Sequence, residues 1–202
     1  MKNTIKYLIL LIIYLVCGVN LQAQNYTFRN VVMSDGLSGL LVNAIYKDSE
    51  GFVWLGTDNC LDRFDGVKVR HYEFRGVDSG RKKRVNCITE TADNQLWVGN
   101  GIGLWRLNRA NGQLERIVPE KIDFAVNTLL PDGDILYIGT EKGLFIQKDG
   151  QLLQVLTDRN MLAACNRIMD LCLNEDKSAL WLATVQGLFS YSLKDGKIDS
   201  WH

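Results

Sequence analysis

Short runs of alternating apolar and polar residues, broken by polar turns, fill the chain from about residue 41 onward. The most regular is Gly51-Phe52-Val53-Trp54-Leu55-Gly56-Thr57. It returns as Trp97-Val98-Gly99-Asn100, Tyr137-Ile138-Gly139-Thr140 and Trp181-Leu182-Ala183-Thr184, so the aromatic position repeats at intervals of 43, 40 and 44 residues. Period-two alternation predicts half-buried strands. A repeat of about 40–45 residues holding several strands predicts β-propeller blades.

Other columns keep step. Asn43, Asn86, Asn127 and Asp170 stand ten or eleven residues before the aromatic. Cys60, Gly103, Gly143 and Gly187 stand six after it, each followed by Leu. Asp65-Gly66, Asn111-Gly112, Asp149-Gly150 and Asp195-Gly196 close the units. Such pairs predict tight two-residue hairpins, because a type I′ turn needs positive φ twice. Each unit reads as one four-stranded antiparallel sheet. The expected fold is all-β, with blades over about 41–74, 84–118, 124–156 and 166–202 in a region covering 24–202. An extra leading strand is expected at 25–33, and it has no vacancy to fill in a ring of four complete blades. An incomplete propeller arc is therefore expected, with uncovered end faces that favour self-association.

Trp54, Trp97, Tyr137 and Trp181 are read as packing between blades, since a blade cannot bury both faces alone. Gly56, Gly99 and Gly139 mark a close approach or a bend of the inner strands. Cys60 breaks its glycine column. If that column needs positive φ, the cysteine is strained and Cys60→Gly stabilises the chain.

The N-terminus changes the picture in another way. Lys2 and Lys6 precede an apolar run from Tyr7 to Val19, and Leu21-Gln22-Ala23 resembles a cleavage site. The run is short for a span of about 17–25 residues and fits a signal-peptide core. Residues 1–23 are expected to be removed, leaving a periplasmic or secreted chain with no membrane segment in its mature part. Val16 before Cys17 argues against lipid attachment. In an exported protein disulfides are permitted, yet Cys87 and Cys172 sit in strand columns and are expected as free, buried thiols, with Cys165 and Cys172 unbridged.

Composition excludes more than it suggests. The 202 residues carry 23 basic and 23 acidic side chains, and this balance gives no reason to expect nucleic acid. Two histidines and no metal-ligand spacing give no expected metal, cofactor or catalytic constellation. Asp and Glu fall mainly in turns that recur in every unit, as turn chemistry requires. The one basic cluster is Arg81-Lys82-Lys83-Arg84, in the least patterned connection, between the first two blades. It is the candidate ligand-binding segment, for an anionic sugar or phosphate; its bland alternative is a solvated loop.

Asp35-Gly36-Leu37-Ser38, the run from Asn43 to Asn59, and Leu61-Asp62-Arg63-Phe64-Asp65-Gly66 resemble the two-component regulator propeller repeat. Cys60 departs from the glycine usual after the Asp-Asn pair; Tyr137 and Ala183 depart less. The resemblance implies the periplasmic sensor region of a hybrid two-component histidine kinase, in which propellers sense oligosaccharides and signal to a kinase beyond the membrane. It implies the remaining propeller and kinase portions as partners and supplies no ligand residues. The expected function is a ligand-sensing propeller portion without enzymatic activity of its own. The alternative is a free-standing secreted propeller that binds protein or carbohydrate.

Overall fold

The computed structural model describes residues 4–7, 28, 30–77, 83–117, 122–156 and 167–201. Residues Met1–Val31 form one unit, of which 4–7 are helical, and Val32–His202 form the other. Among the described residues no helix is long and apolar enough to cross a membrane.

The second unit is almost all β. Blade one contains β1 (Val42–Lys47), β2 (Val53–Thr57), β3 (Leu61–Phe64) and β4 (Val69–Tyr72). Blade two contains β5 (Val85–Glu90), β6 (Leu96–Asn100), β7 (Gly103–Asn108) and β8 (Gln113–Ile117). Blade three contains β9 (Val126–Asp132), β10 (Ile135–Thr140), β11 (Gly143–Lys148) and β12 (Gln151–Gln154). Blade four contains β13 (Ile168–Leu173), β14 (Ala179–Thr184), β15 (Gly187–Ser192) and β16 (Ile198–Trp201). Each blade is an antiparallel meander of four strands in chain order.

Three apolar clusters fill the three interfaces between consecutive blades. Trp54, Leu61 and Tyr72 of blade one meet Ile88, Val98 and Trp105 of blade two. Trp97 and Leu104 meet Val126 and Ile138. Tyr137 and Leu144 meet Ile168, Leu171 and Leu182. The indoles are also tied down. Trp54 Nε1 donates to Asp48 at 2.7 Å, and Trp97 Nε1 donates to the Thr91 hydroxyl at 3.1 Å. A buried indole needs such an acceptor. No comparable packing joins blade one to blade four among the described residues, and the sheets form an open succession.

The glycine column marks the close approach of the next blade. A Cβ on Gly56 meets Val85 at 2.4 Å, one on Gly99 meets Val126 at 2.6 Å, and one on Gly139 meets Ile168 at 2.8 Å. Ala183 takes this position in blade four, where no following strand packs among the described residues.

Several expectations are corrected. Of the predicted leading strand at 25–33, residues 30–32 are irregular and Met33–Asp35 is a 3-10 turn; the rest lies mostly outside the described residues. The Asp35 carboxylate accepts the Val32 N–H at 3.0 Å, a bond local to this turn. Only Asp149-Gly150 forms the expected two-residue turn, with φ of 49° and 74° joining Lys148 to Gln151. At Asp65 the carboxylate accepts the Val67 and Lys68 N–H groups, so Gly66-Val67 becomes the centre of the turn. At Asn111-Gly112 the loop spans four residues between Asn108 and Gln113.

Cys60 does not share the backbone of its column. Gly103, Gly143 and Gly187 have φ of 148°, 112° and 128°, while Cys60 is absent from the positive region. Its N–H instead donates to the Thr57 hydroxyl at 3.1 Å, and its thiol donates to Asp62 at 3.4 Å. The cysteine is therefore unstrained. Cys87 is half-buried with its thiol pushed up by burial, whereas Cys172, expected inside, is exposed; both are free, and Cys165 lies outside the described residues.

Candidate functional site

The inner strands β1, β5, β9 and β13 lie side by side, on the side that lines the central channel in a closed propeller, and their N-terminal ends meet at a groove, here called the channel mouth. Their first residues build its rim. Asn86 Nδ2 donates to Val126 O at 2.9 Å, and Asn127 Nδ2 donates to Ile168 O at 2.8 Å. In the asparagine column, Asn86 and Asn127 are thus blade-to-blade staples at the second and third interfaces, whereas Asn43 Nδ2 donates locally to Leu41 O at 3.5 Å. The fourth member is not Asp170. Cys172 pairs with Trp181 as Thr89 pairs with Trp97, which places Met169 at the asparagine position. The β13–β14 turn is longer than its counterparts, and counting back from Trp181 slips by one residue.

Two residues before the positions of this column, immediately ahead of each inner strand, stand Leu41, Arg84, Ala125 and Arg167. The carbonyls of the last three accept from Gly101, Glu141 and Val185, at 3.1, 3.1 and 3.3 Å. The same backbone position therefore carries a guanidinium in blades two and four. Arg84 and Arg167, both exposed, line a groove of about 390 Å³ together with Asn43, Asn86, Asn127 and Glu141. Two guanidiniums, three amides and a carboxylate can bind hydroxyls and carboxylates through directional hydrogen bonds.

The sequence candidates divide. Arg81 and Lys82 lie outside the described residues. Arg84 lines the channel-mouth groove, while Lys83 lines a separate cavity of about 390 Å³ beside Cys60 and His71. The basic run is therefore not one patch. Sequence reasoning missed Arg167 and Glu141. The signal for Arg167 was its place before β13, equivalent to that of Arg84 before β5. The repeat positions Trp54, Trp97 and Tyr137 are buried in the blade interfaces and Trp181 is partly buried; none of the four lines the groove. Cys60, Asp62 and His71 are the metal-competent side chains grouped among the described residues, and they do not line it either.

The four-stranded sheets stacked about inner strands define a β-propeller arrangement. Residues 36–59 match the family model described as two component regulator propeller, so the chain carries that repeat in its first blade. The curated Histidine kinase P4 of Formosa agariphila is 32% identical over 79 residues, which are 39% of this chain and 6% of that protein. The extracellular domain of a hybrid two component system from B. thetaiotaomicron superposes with a TM-score of 0.73 at 21% identity, over 88% of this chain and 27% of that one. A second such extracellular domain gives 0.64 at 26% identity, over 79% and 22%. The chain spans about a quarter of these solved chains and a far smaller share of the curated kinase.

Proposed function

We propose that this chain is the ligand-sensing propeller portion of a two-component receptor, exported to the periplasm, with the channel-mouth groove as its ligand face. The observation that carries the reading is the recurrence of Arg84 and Arg167 at one backbone position of two blades, beside the row Asn43, Asn86 and Asn127. The asparagines are held by structural bonds, whereas the exposed guanidiniums are available to a ligand. An oligosaccharide fits this chemistry, and one bearing carboxylates fits it better, because arginine binds carboxylate through two parallel hydrogen bonds. Likeness to extracellular domains of hybrid two component systems supports the receptor assignment. In this reading the propeller supplies binding and the kinase portion supplies catalysis.

Calorimetry against neutral and uronic-acid oligosaccharides tests the ligand class. Acidic oligosaccharides are expected to bind, with Arg84→Ala and Arg167→Ala each weakening binding by roughly tenfold or more, the loss of about 1.4 kcal/mol or above for a charge-assisted contact. Binding unchanged in the double variant, or no binding by either class, overturns the assignment of this groove.

A further inference from the structure

A second constellation lies on blade one, outside the groove. Asp62 on β3 pairs directly across the ladder with His71 on β4. Cys60 stands two residues before Asp62, so strand alternation returns its side chain to the same face. The candidate ligand atoms of the three lie within 4.8 Å of one another. Asp62 is fully buried, while the His71 side chain is 48% exposed. One Asp62 oxygen, Oδ2, is occupied by the Ser38 N–H at 2.8 Å and the Ser38 hydroxyl at 2.7 Å. The other, Oδ1, faces both His71 Nδ1 at 2.7 Å and the Cys60 thiol at 3.4 Å. The cavity that Lys83 lines opens onto Cys60 and His71.

We propose that Cys60 Sγ, Asp62 Oδ1 and His71 Nδ1 form a binding site for a thiophilic divalent cation of the zinc class, with a fourth position open to the cavity. The donor set is thiolate, carboxylate and imidazole, which zinc accepts and which magnesium and calcium do not favour. A tetrahedral zinc with bonds of about 2.0–2.3 Å sets its ligand atoms about 3.3–3.6 Å apart. The Cys60–Asp62 separation of 3.4 Å already fits. The Asp62–His71 separation of 2.7 Å must widen by about 0.6 Å to reach that spacing. His71 is on the outer strand and half exposed, so it is the ligand free to move.

Charge and protons also balance. Binding releases the Cys60 thiol proton to solvent, and the neutral imidazole carries its proton on Nε2 instead of Nδ1. Thiolate and carboxylate then neutralise the two positive charges, so the half-buried unit has no net charge. Ser38 plays the outer role, holding Asp62 through its second oxygen as such partners orient metal ligands. Hydrogen bonding alone satisfies Asp62. It does not explain why a thiol and an imidazole share one oxygen at the wall of an open cavity. The site also accounts for cysteine where the other blades place glycine. This inference is independent of the oligosaccharide reading.

The test uses the purified chain stripped of metal. Zinc is titrated against a chromophoric chelator, and cobalt(II) serves as the spectroscopic probe. One cation per chain is expected, with a thiolate-to-cobalt charge-transfer band. Cys60→Ser should abolish the band, and His71→Gln should weaken zinc binding by at least about tenfold. Cys87→Ala and Cys172→Ser should leave both readouts unchanged. No band in the unsubstituted chain, or a band that survives Cys60→Ser, overturns the proposal. Should Cys60→Ser fail to fold, a folded His71→Gln chain with unchanged zinc affinity overturns it equally.

Discussion

Gly99→Ala isolates the contact that sets the spacing of blades two and three. Gly99 does not occupy the positive-φ region, so an L side chain is allowed there and any cost is steric. The new methyl would stand 2.4 Å from Cys87 Sγ, 2.6 Å from Val126 Cγ1 and 3.0 Å from Val126 Cβ. Val126 is fully buried and β-branched, so it has no flexible end to withdraw. Overpacking of this kind costs about 1–3 kcal/mol. Replacing glycine in a strand returns about 0.5–1 kcal/mol, leaving a net loss of about 1–2 kcal/mol. For a unit of this size the melting temperature should fall by about 2–8 °C. The same column provides the control. Ala183→Gly removes a methyl that no following strand presses on among the described residues, and should cost only the glycine penalty of about 0.5–1 kcal/mol. Val126→Ala added to Gly99→Ala should cost less than the two changes separately, by about 1 kcal/mol. Scanning calorimetry of the four variants reads all of this. A Gly99→Ala chain as stable as the original, or strict additivity with Val126→Ala, refutes the close-approach argument.

Cys60→Gly should destabilise the chain by about 1–2 kcal/mol, because it removes a buried thiol bonded to Asp62 and loosens an unstrained backbone; a rise in the denaturation midpoint contradicts this. Asp48→Ala leaves the buried Trp54 Nε1 without its acceptor and should cost about 1–3 kcal/mol in a urea titration; an unchanged midpoint removes the claim. Mass spectrometry of exported protein should find Gln24 at the N-terminus, and a mature chain retaining Met1 would contradict the signal reading. The purified chain should self-associate in sedimentation. Ile45 is 73% exposed where its equivalents Ile88 and Leu171 are 9% and 7%, and Leu188 is 44% exposed where Leu61, Leu104 and Leu144 are 0%. A stable monomer that binds no hydrophobic dye defeats that expectation.

The blade count was legible because one aromatic, one small residue and one turn recur together, and stacked sheets demand the same contacts at every step. Registers were less legible. The β13–β14 turn is longer than the others, so a fixed offset from Trp181 chose Asp170 where the ladder places Met169. The Asp65-Gly66 pair read as the centre of a turn, but the Asp65 side chain captures two N–H groups and moves the centre to Gly66-Val67. That shift is what brings His71 opposite Asp62. The expected type I′ turn would pair Asp62 with a residue nearer the turn, so the Cys60–Asp62–His71 grouping could not be read from spacing. Arg84 was visible as part of a charge run; Arg167 was not, because it stands alone in the sequence and joins Arg84 only through the stacking of blades.

The columns therefore divide by physical task. Positions that repeat most closely, Trp54 with Trp97 and Gly56 with Gly99 and Gly139, face the neighbouring blade and are held by packing that tolerates little change. Asn86 and Asn127 face the channel, yet they too repeat, because each donates to the carbonyl of the next inner strand. Chemistry is free to differ only where no repeated contact constrains the side chain. The position before each inner strand is such a place. In blades two to four its carbonyl is used by the backbone, and across the four blades the position carries Leu41, Arg84, Ala125 and Arg167. The start of β3 is another, where Cys60 replaces glycine and turns its thiol toward Asp62. In a propeller built from repeats, the residues that break the repeat without straining the backbone are the ones that packing does not explain. Here they fall at two cavities, one at the channel mouth and one on blade one.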